Sequence, residues 1–261
     1  MGHDHEGQRV SRRRLIAGIS SLGLGSLIAS SGPGVRATAL ADSRFAGART
    51  CALTPTATQG PFYFDADKIR SDIREDRPGT RLRLAIKVQD TESCEPVNDA
   101  VVEIWHCDAA GLYSGAEKES KNDVGAPPSL DDIASDGKSD MADMKPTDGK
   151  RYLRGAQVTN AEGIVEFTTI WPGWYPGRTV HIHVMVHVSE RRVLSTQLMF
   201  DERLNAEVLS KPPYTRREGK RETFNSGDVL FQDGMLLKVT EEDDGYLGTI
   251  VLATDSDKDG G

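Results

Sequence analysis

Apolar and polar residues alternate along several short stretches of the chain, separated by Gly, Pro and Asp-rich turns. Residues 82–90, LRLAIKVQD, alternate cleanly and end in the polar run Thr-Glu-Ser-Cys-Glu-Pro. AVVEIWHC at 100–107 alternates again, so the two segments predict a hairpin of two strands. Further strands are predicted over GAQVTN, GIVEFTTI, TVHIHVMVHV and VLSTQLMF, and over 228–240 and 245–253. Between them, 201–225 reads as a loop with one helical turn at LNAEVL. Many short strands with few helices predict an all-β fold, an antiparallel β-sandwich with long irregular loops and little helix. No internal repeat is visible.

Residues 116–150 break the pattern. They are rich in Asp, Lys, Gly, Ser and Pro, and read as a long polar surface insertion. Their acids do not follow the spacing of a calcium-binding EF-hand loop. The last residues, 254–261, read as a disordered tail.

The N-terminus reads differently again. Arg12, Arg13 and Arg14 precede an apolar core, a Gly-Pro break and Ala39-Leu40-Ala41. This is the layout of an export signal cleaved after a small residue, here Ala41. Ser-Arg-Arg-Arg-Leu-Ile at 11–16 is similar to the twin-arginine type, which is an address rather than an anchor. The apolar core is short and diluted by Gly and Ser for a permanent span, so a retained anchor helix is the alternative and a secreted or cell-envelope domain the expectation. The domain proper then covers 42–253. The 261 residues carry a formal charge of −8, and losing a signal with five Arg and two acids takes it to −11. An acidic chain without a basic face excludes nucleic acid as a partner. No membrane association is expected after cleavage, and oligomeric state is not readable from these residues.

Export permits a disulfide among Cys51, Cys94 and Cys107. Cys94 and Cys107 are separated by a segment that spans about 40 Å when extended, whereas a bridge needs Cα atoms within about 7 Å. Cys51 is therefore the shared partner, with either Cys94 or Cys107.

The chemistry gathers at WYPGRTVHIHV, 174–184. On a strand, His181 and His183 point to one side about 7 Å apart along the backbone, so their imidazoles can converge on one metal. His187 shares their parity but lies about 13 Å further on, too far for the same ion unless the strand bends. Tyr175 sits in a tight Trp-Tyr-Pro loop before the pair, and Tyr113 follows the Ala-Ala-Gly turn that leaves 100–107. Taken singly, each tyrosine fits a core aromatic with a satisfied hydroxyl, and a His-X-His strand fits a solvated polar face.

VEIWHCDAAGLYSG, FTTIWPGWYPGRTVHIHV and STQLMF, with TPTATQGPFYF upstream, closely resemble the intradiol ring-cleavage dioxygenases. The chain looks most like a secreted branch of that family, and the resemblance covers about residues 51–240 apart from the polar insertion. It implies a mononuclear Fe(3+) held by Tyr113, Tyr175, His181 and His183, with water or hydroxide beside them. Phenolate and imidazole suit such an ion better than thiolate would. It also implies a catechol-type substrate opened with O2 to a muconate-type diacid. Arg178 matches an arginine that lies over the substrate ring, Tyr175 the ligand that gives way to substrate, and Gln197 a glutamine that contacts the active site.

Three departures stand out. The Tyr175–His181 loop is shorter than in intracellular members, and the insertion after Tyr113 has no recognised counterpart. There is also no room between Ala41 and Thr54 for the N-terminal helical dimerisation domain of catechol-specific members. Two rivals remain: an exported, non-catalytic β-sandwich binding module, and a copper or zinc protein built on the His-X-His strand.

Overall fold

A computed structural model describes residues 42–46, 51–122 and 143–257. The alternation of RLRLAIKVQD becomes strand β1 (Arg81–Asp90), with Leu82, Leu84, Ile86 and Val88 fully buried. Then come β2 (Val101–Trp105), helix α1 (Glu117–Asn122), β3 (Arg154–Val158) and β4 (Ile164–Ile170). The chain continues through β5 (His181–Val188), β6 (Arg191–Met199), helix α2 (Glu202–Leu209), β7 (Lys238–Glu242) and β8 (Gly245–Thr254).

These strands form two four-stranded sheets, ordered β4-β1-β8-β7 and β3-β2-β5-β6. Leu82, Leu84, Ile86 and Val88 of the first sheet share one core with Val102, Ile104, Ile182, Val184 and Val186 of the second. That is the expected sandwich, sheets joined through their apolar faces. Trp171 packs against Phe200 with ring centroids 4.2 Å apart and planes tilted by 37°, and its indole N–H donates to Asn205 Oδ1 at 3.1 Å. Asn205 belongs to α2, which Asp201 caps by accepting from Arg203 N and Leu204 N.

The structure corrects four expectations. β1 and β2 are not a hairpin but belong to different sheets. The chain folds back as far as the Val97 N to Val88 O hydrogen bond and then crosses the sandwich. Alternation says that a strand is covered on a face, not which strand lies beside it. Second, the sandwich is not purely antiparallel, because β1 pairs with β8 in parallel along its whole length. Third, only Lys238–Thr240 of the strand expected at 228–240 is extended in a sheet, as the start of β7; the rest is 3-10 turns and irregular chain that packs Leu230 and Met235 against Met199. Fourth, the single turn expected at 204–209 is the larger part of a longer helix, and the insertion begins with α1.

The export signal and most of the polar insertion, 123–142, lie outside the described residues, as do 258–261. β8 runs to Thr254, and Ser256 N donates to Asp90 Oδ2, so the described start of the expected tail is tied to the end of β1. No described helix is long and apolar enough to cross a membrane.

The open disulfide choice resolves as Cys51–Cys94, with Cα atoms 5.2 Å apart, while Cys107 is a free, buried thiol. The bridge ties the segment ahead of β1 to the β1–β2 connection across 43 residues of sequence. Closing a loop of that length in the unfolded chain is worth about 2–4 kcal/mol. Cys94→Ser is expected to lose that much unfolding free energy in urea titrations without reductant. An unchanged midpoint and slope would contradict it.

Candidate metal centre

The site lies on the outer face of the second sheet, away from the shared core. Period-2 alternation puts Trp105, His183 and Gln197 in one row across β2, β5 and β6, since Trp105 pairs with His183 and His183 with Gln197. Trp105 stacks on the His183 ring, centroids 4.9 Å apart and planes 7° from parallel. From the other side the segment 57–64 closes over this face. Ala57 N donates to Ser195 O at 2.9 Å, and a side-chain carbon at Gly60, where φ is +74°, would stand 3.1 Å from His183 Cε1. Glycine is what that close approach and that backbone angle require.

Two loops bring in the tyrosines. Beyond β2, Asp108 Oδ1 accepts from Ala110 N at 2.9 Å and Leu112 N at 3.0 Å, closing the turn that delivers Tyr113. Gly173 N, in the loop that carries Tyr175, donates to Asp108 O at 3.1 Å. One short stretch of backbone therefore fixes both loops relative to each other. Tyr113 is fully buried and Tyr175 only partly so. Buried Arg154 braces the inner side: its guanidinium donates to Ser114 Oγ at 2.9 Å and to the Phe62 carbonyl at 2.8 Å.

Four polar atoms meet here. His181 Nε2 lies 3.0 Å from Tyr175 Oη, 3.1 Å from His183 Nε2 and 3.5 Å from Tyr113 Oη; the two phenol oxygens are 3.4 Å apart. An ion holding N and O donors at about 2.1 Å sets neighbours about 3.0 Å apart at right angles and about 3.4 Å apart at tetrahedral angles. The observed spacings span that range, so the group fits one ion. His181 Nδ1 donates to the Thr179 carbonyl at 2.7 Å, which leaves Nε2 with its lone pair toward the other three atoms. His183 Nδ1 is buried with no protein partner among the described residues.

Burial dominates the electrostatics. It pushes the His181 imidazole down to about 3, helped by the Arg178 charge, and holds His183 well below its ordinary value, helped by His181. Both rings are therefore neutral at pH 7. Burial also pushes the Tyr175 phenol up to about 12 and Tyr113 well above the ordinary value. Without a cation the phenols keep their protons; a highly charged ion is what such a set can compensate. Among the described residues no three His, Cys, Asp or Glu side chains gather at metal-binding range. The donor set is two phenols and two imidazoles, without the carboxylate or thiolate that zinc commonly takes.

Arg178 and Gln197 are in contact, Nη2 donating to Gln197 Oε1 at 2.5 Å. Arg178 Nε donates to Asp228 Oδ2 at 2.9 Å, forming a buried ion pair. Burial raises the Asp228 carboxyl, but the Arg178 charge and the N–H groups of Thr179 and Leu230 outweigh it and hold it below the ordinary carboxylate range. His187 is buried too, but a register shift between Val186 and His187 interrupts the row, and His187 pairs across from Val101 rather than joining the four.

Sequence reading named the four converging residues together with Arg178 and Gln197. It missed Trp105 as a partner for His183, Thr179 as the carbonyl that orients His181, Gly60, and Asp228. The first three lie within the quoted motifs, where stacking on the neighbouring strand and i,i+2 backbone contacts could have found them. Nothing distinguishes Asp228 among 40 acidic residues.

A family model described as Dioxygenase matches residues 57–212 of this chain, a span that contains the whole four-residue group. Chlorocatechol 1,2-dioxygenase from Rhodococcus opacus is 27% identical over 173 residues, 57% of this chain and 56% of that protein. The chain thus spans little more than half the length of that curated relative. The solved structure of an intradiol ring-cleavage dioxygenase from Tetranychus urticae matches at 33% identity with a TM-score of 0.68, covering 79% of this chain and 96% of that one. The dioxygenase domain of a dioxygenase carbohydrate-binding protein fusion from Streptomyces sp. SirexAA-E matches at 28% identity and a TM-score of 0.52, covering 78% of this chain and 99% of that domain. With the family model spanning more than half its length and the Tetranychus urticae structure covered almost completely, this chain belongs to the intradiol ring-cleavage dioxygenase family.

Proposed function

We propose that this protein is an exported non-haem iron(III) enzyme that opens the ring of a catechol between its two hydroxylated carbons. Catechol and O2 combine into one cis,cis-muconate-type diacid, so both oxygen atoms enter the product and no reductant is consumed. The observation that carries the proposal is the gathering of two phenol oxygens and the His183 Nε2 atom within 3.0–3.5 Å of His181 Nε2, with the two phenol oxygens 3.4 Å apart.

Tyr113, Tyr175, His181 and His183 would hold the iron. Bound there, it supplies Lewis-acid polarisation of a chelating diol and a template for its reaction with O2. The chain's own residues do the rest. The Thr179 carbonyl and the Trp105 ring fix the two imidazoles, so the diol meets a preorganised site. Tyr175, on the less buried side, would be the phenol that gives way to a diol oxygen, its Oη taking one of the two diol protons and solvent the other. Arg178 Nη1 has no partner among the described residues, and this edge of the guanidinium stabilises negative charge developing on the ring. The N-terminal layout, Arg12–Arg14 ahead of an apolar core and Ala39-Leu40-Ala41, supports export by the twin-arginine route.

Metal analysis, visible spectroscopy and oxygen uptake test the proposal together. Protein produced with iron should hold it stoichiometrically and be red-brown, with absorption that shifts when catechol is added. It should consume O2 with at least one of catechol, protocatechuate and hydroxyquinol. N-terminal sequencing of the exported form should begin at Asp42. Colourless protein carrying zinc or copper, or no oxygen uptake with any of the three, would defeat the enzymatic reading in favour of a binding module or another metalloprotein.

A further inference from the structure

The loop after α2 contributes one carboxylate to the site face, from far along the sequence. Asp228 divides its two oxygens between two tasks. Oδ1 accepts from Leu230 N at 2.9 Å and closes its own turn. Oδ2 accepts from Arg178 Nε at 2.9 Å and from Thr179 N at 2.7 Å. Thr179 in turn gives its carbonyl to His181 Nδ1 at 2.7 Å. A single buried oxygen therefore ties the guanidinium to the residue that orients an imidazole of the metal-holding group. The bonds from Nε to Asp228 and from Nη2 to Gln197 Oε1 fix the guanidinium along two directions, and Nη1 is left without a protein partner among the described residues.

We infer that Asp228 is a positioning residue for the ring-opening reaction: it fixes Arg178 relative to His181, so that the cation meets charge developing on the bound catechol. The inference rests on the catechol-opening reading of the site. A turn-capping role alone needs only Oδ1. Asp228→Asn separates the two, because its amide oxygen can still accept from Leu230 N while its amide nitrogen cannot accept from Arg178 or Thr179.

The test is a double-mutant cycle of Asp228→Asn with Arg178→Gln, followed by kcat, KM, iron content and the resting visible spectrum. Asp228→Asn is expected to retain iron and resting colour while kcat falls about 30-fold, within the range of a small misplacement of a charge-stabilising group. In the Arg178→Gln background the same change is expected to alter kcat by less than about threefold, because the group Asp228 acts through is gone. An equal loss in both backgrounds, or loss of iron in the single variant, overturns the inference. Should Asp228→Asn fail to fold, Asp228→Glu, with the charge on a longer arm, takes its place; an unchanged kcat there overturns the inference as well. Crystal structures of wild type and variant decide the matter without turnover. The inference expects the guanidinium to leave Gln197, and a guanidinium unmoved in the variant refutes it. Wild-type protein that opens no catechol would remove the functional reading, while this structural arm still decides whether Asp228 sets Arg178.

Discussion

His181→Ala is expected to give protein with less than about one-tenth of the wild-type iron, no red-brown colour and no oxygen uptake. His181 is the hub of the group, since its Nε2 lies within 3.0–3.5 Å of all three other donors. Disturbing a residue that merely orients a metal ligand typically costs about 10–100-fold in metal affinity. Removing the hub itself should exceed that, and the three remaining donors keep no common neighbour. The fold should survive, because β5 is held by backbone pairing to β2 and β6 and by Ile182, Val184 and Val186 on its opposite face. His187→Ala is the matched control: the same strand loses a buried imidazole that stands apart from the four-atom group. Elemental analysis and circular dichroism on the pair separate metal loss from misfolding. Iron retained at the wild-type level in His181→Ala would show that the ion is held elsewhere.

Legibility in the sequence followed physical range. Alternation in LRLAIKVQD and in HIHVMVHV reports a local fact, which face of a strand is covered, and both segments are strands in the structure. The same alternation does not report pairing. It suggested a β1–β2 hairpin, whereas β1 pairs with β4 and β8, and β2 with β3 and β5. Those partners are chosen by how the sheets close over each other, which no window of residues contains. The site divides in the same way. His181, His183, Tyr175 and Arg178 lie within nine consecutive positions, and Tyr113 follows a strand by a recognisable turn, so motif and spacing sufficed. Asp228 lies 50 residues beyond Arg178, at the start of a segment whose pattern predicts a strand but which is irregular there, and only the folded structure joins them. The choice between Cys94 and Cys107 was hidden for a related reason. Both are compatible with Cys51 in the extended chain, and the β1–β2 connection decides by carrying Cys94 to within 5.2 Å while Cys107 is buried beyond β2.

Arg178→Lys keeps the charge and is nevertheless expected to lower kcat about 100-fold, the scale of losing one well-placed charge-stabilising donor. The reason is geometric. The guanidinium is a planar fork that serves Asp228 through Nε at 2.9 Å and Gln197 through Nη2 at 2.5 Å, leaving Nη1 for the ligand. An ammonium is a compact point charge on a flexible stem and cannot span those directions. Drawn by charge, it will settle against Asp228, whose side chain is fully buried and cannot remain unpaired cheaply. Gln197 Oε1 then loses its donor, and the cation is withdrawn from the ring. The loss should fall on kcat more than on KM, because the missing interaction is made chiefly in the transition state. Iron content and resting colour should match wild type, since Arg178 is not among the four converging donors. A lysine variant with kcat within about threefold of wild type would show that positive charge alone is enough, and that the fork between Asp228 and Gln197 has no part in the chemistry.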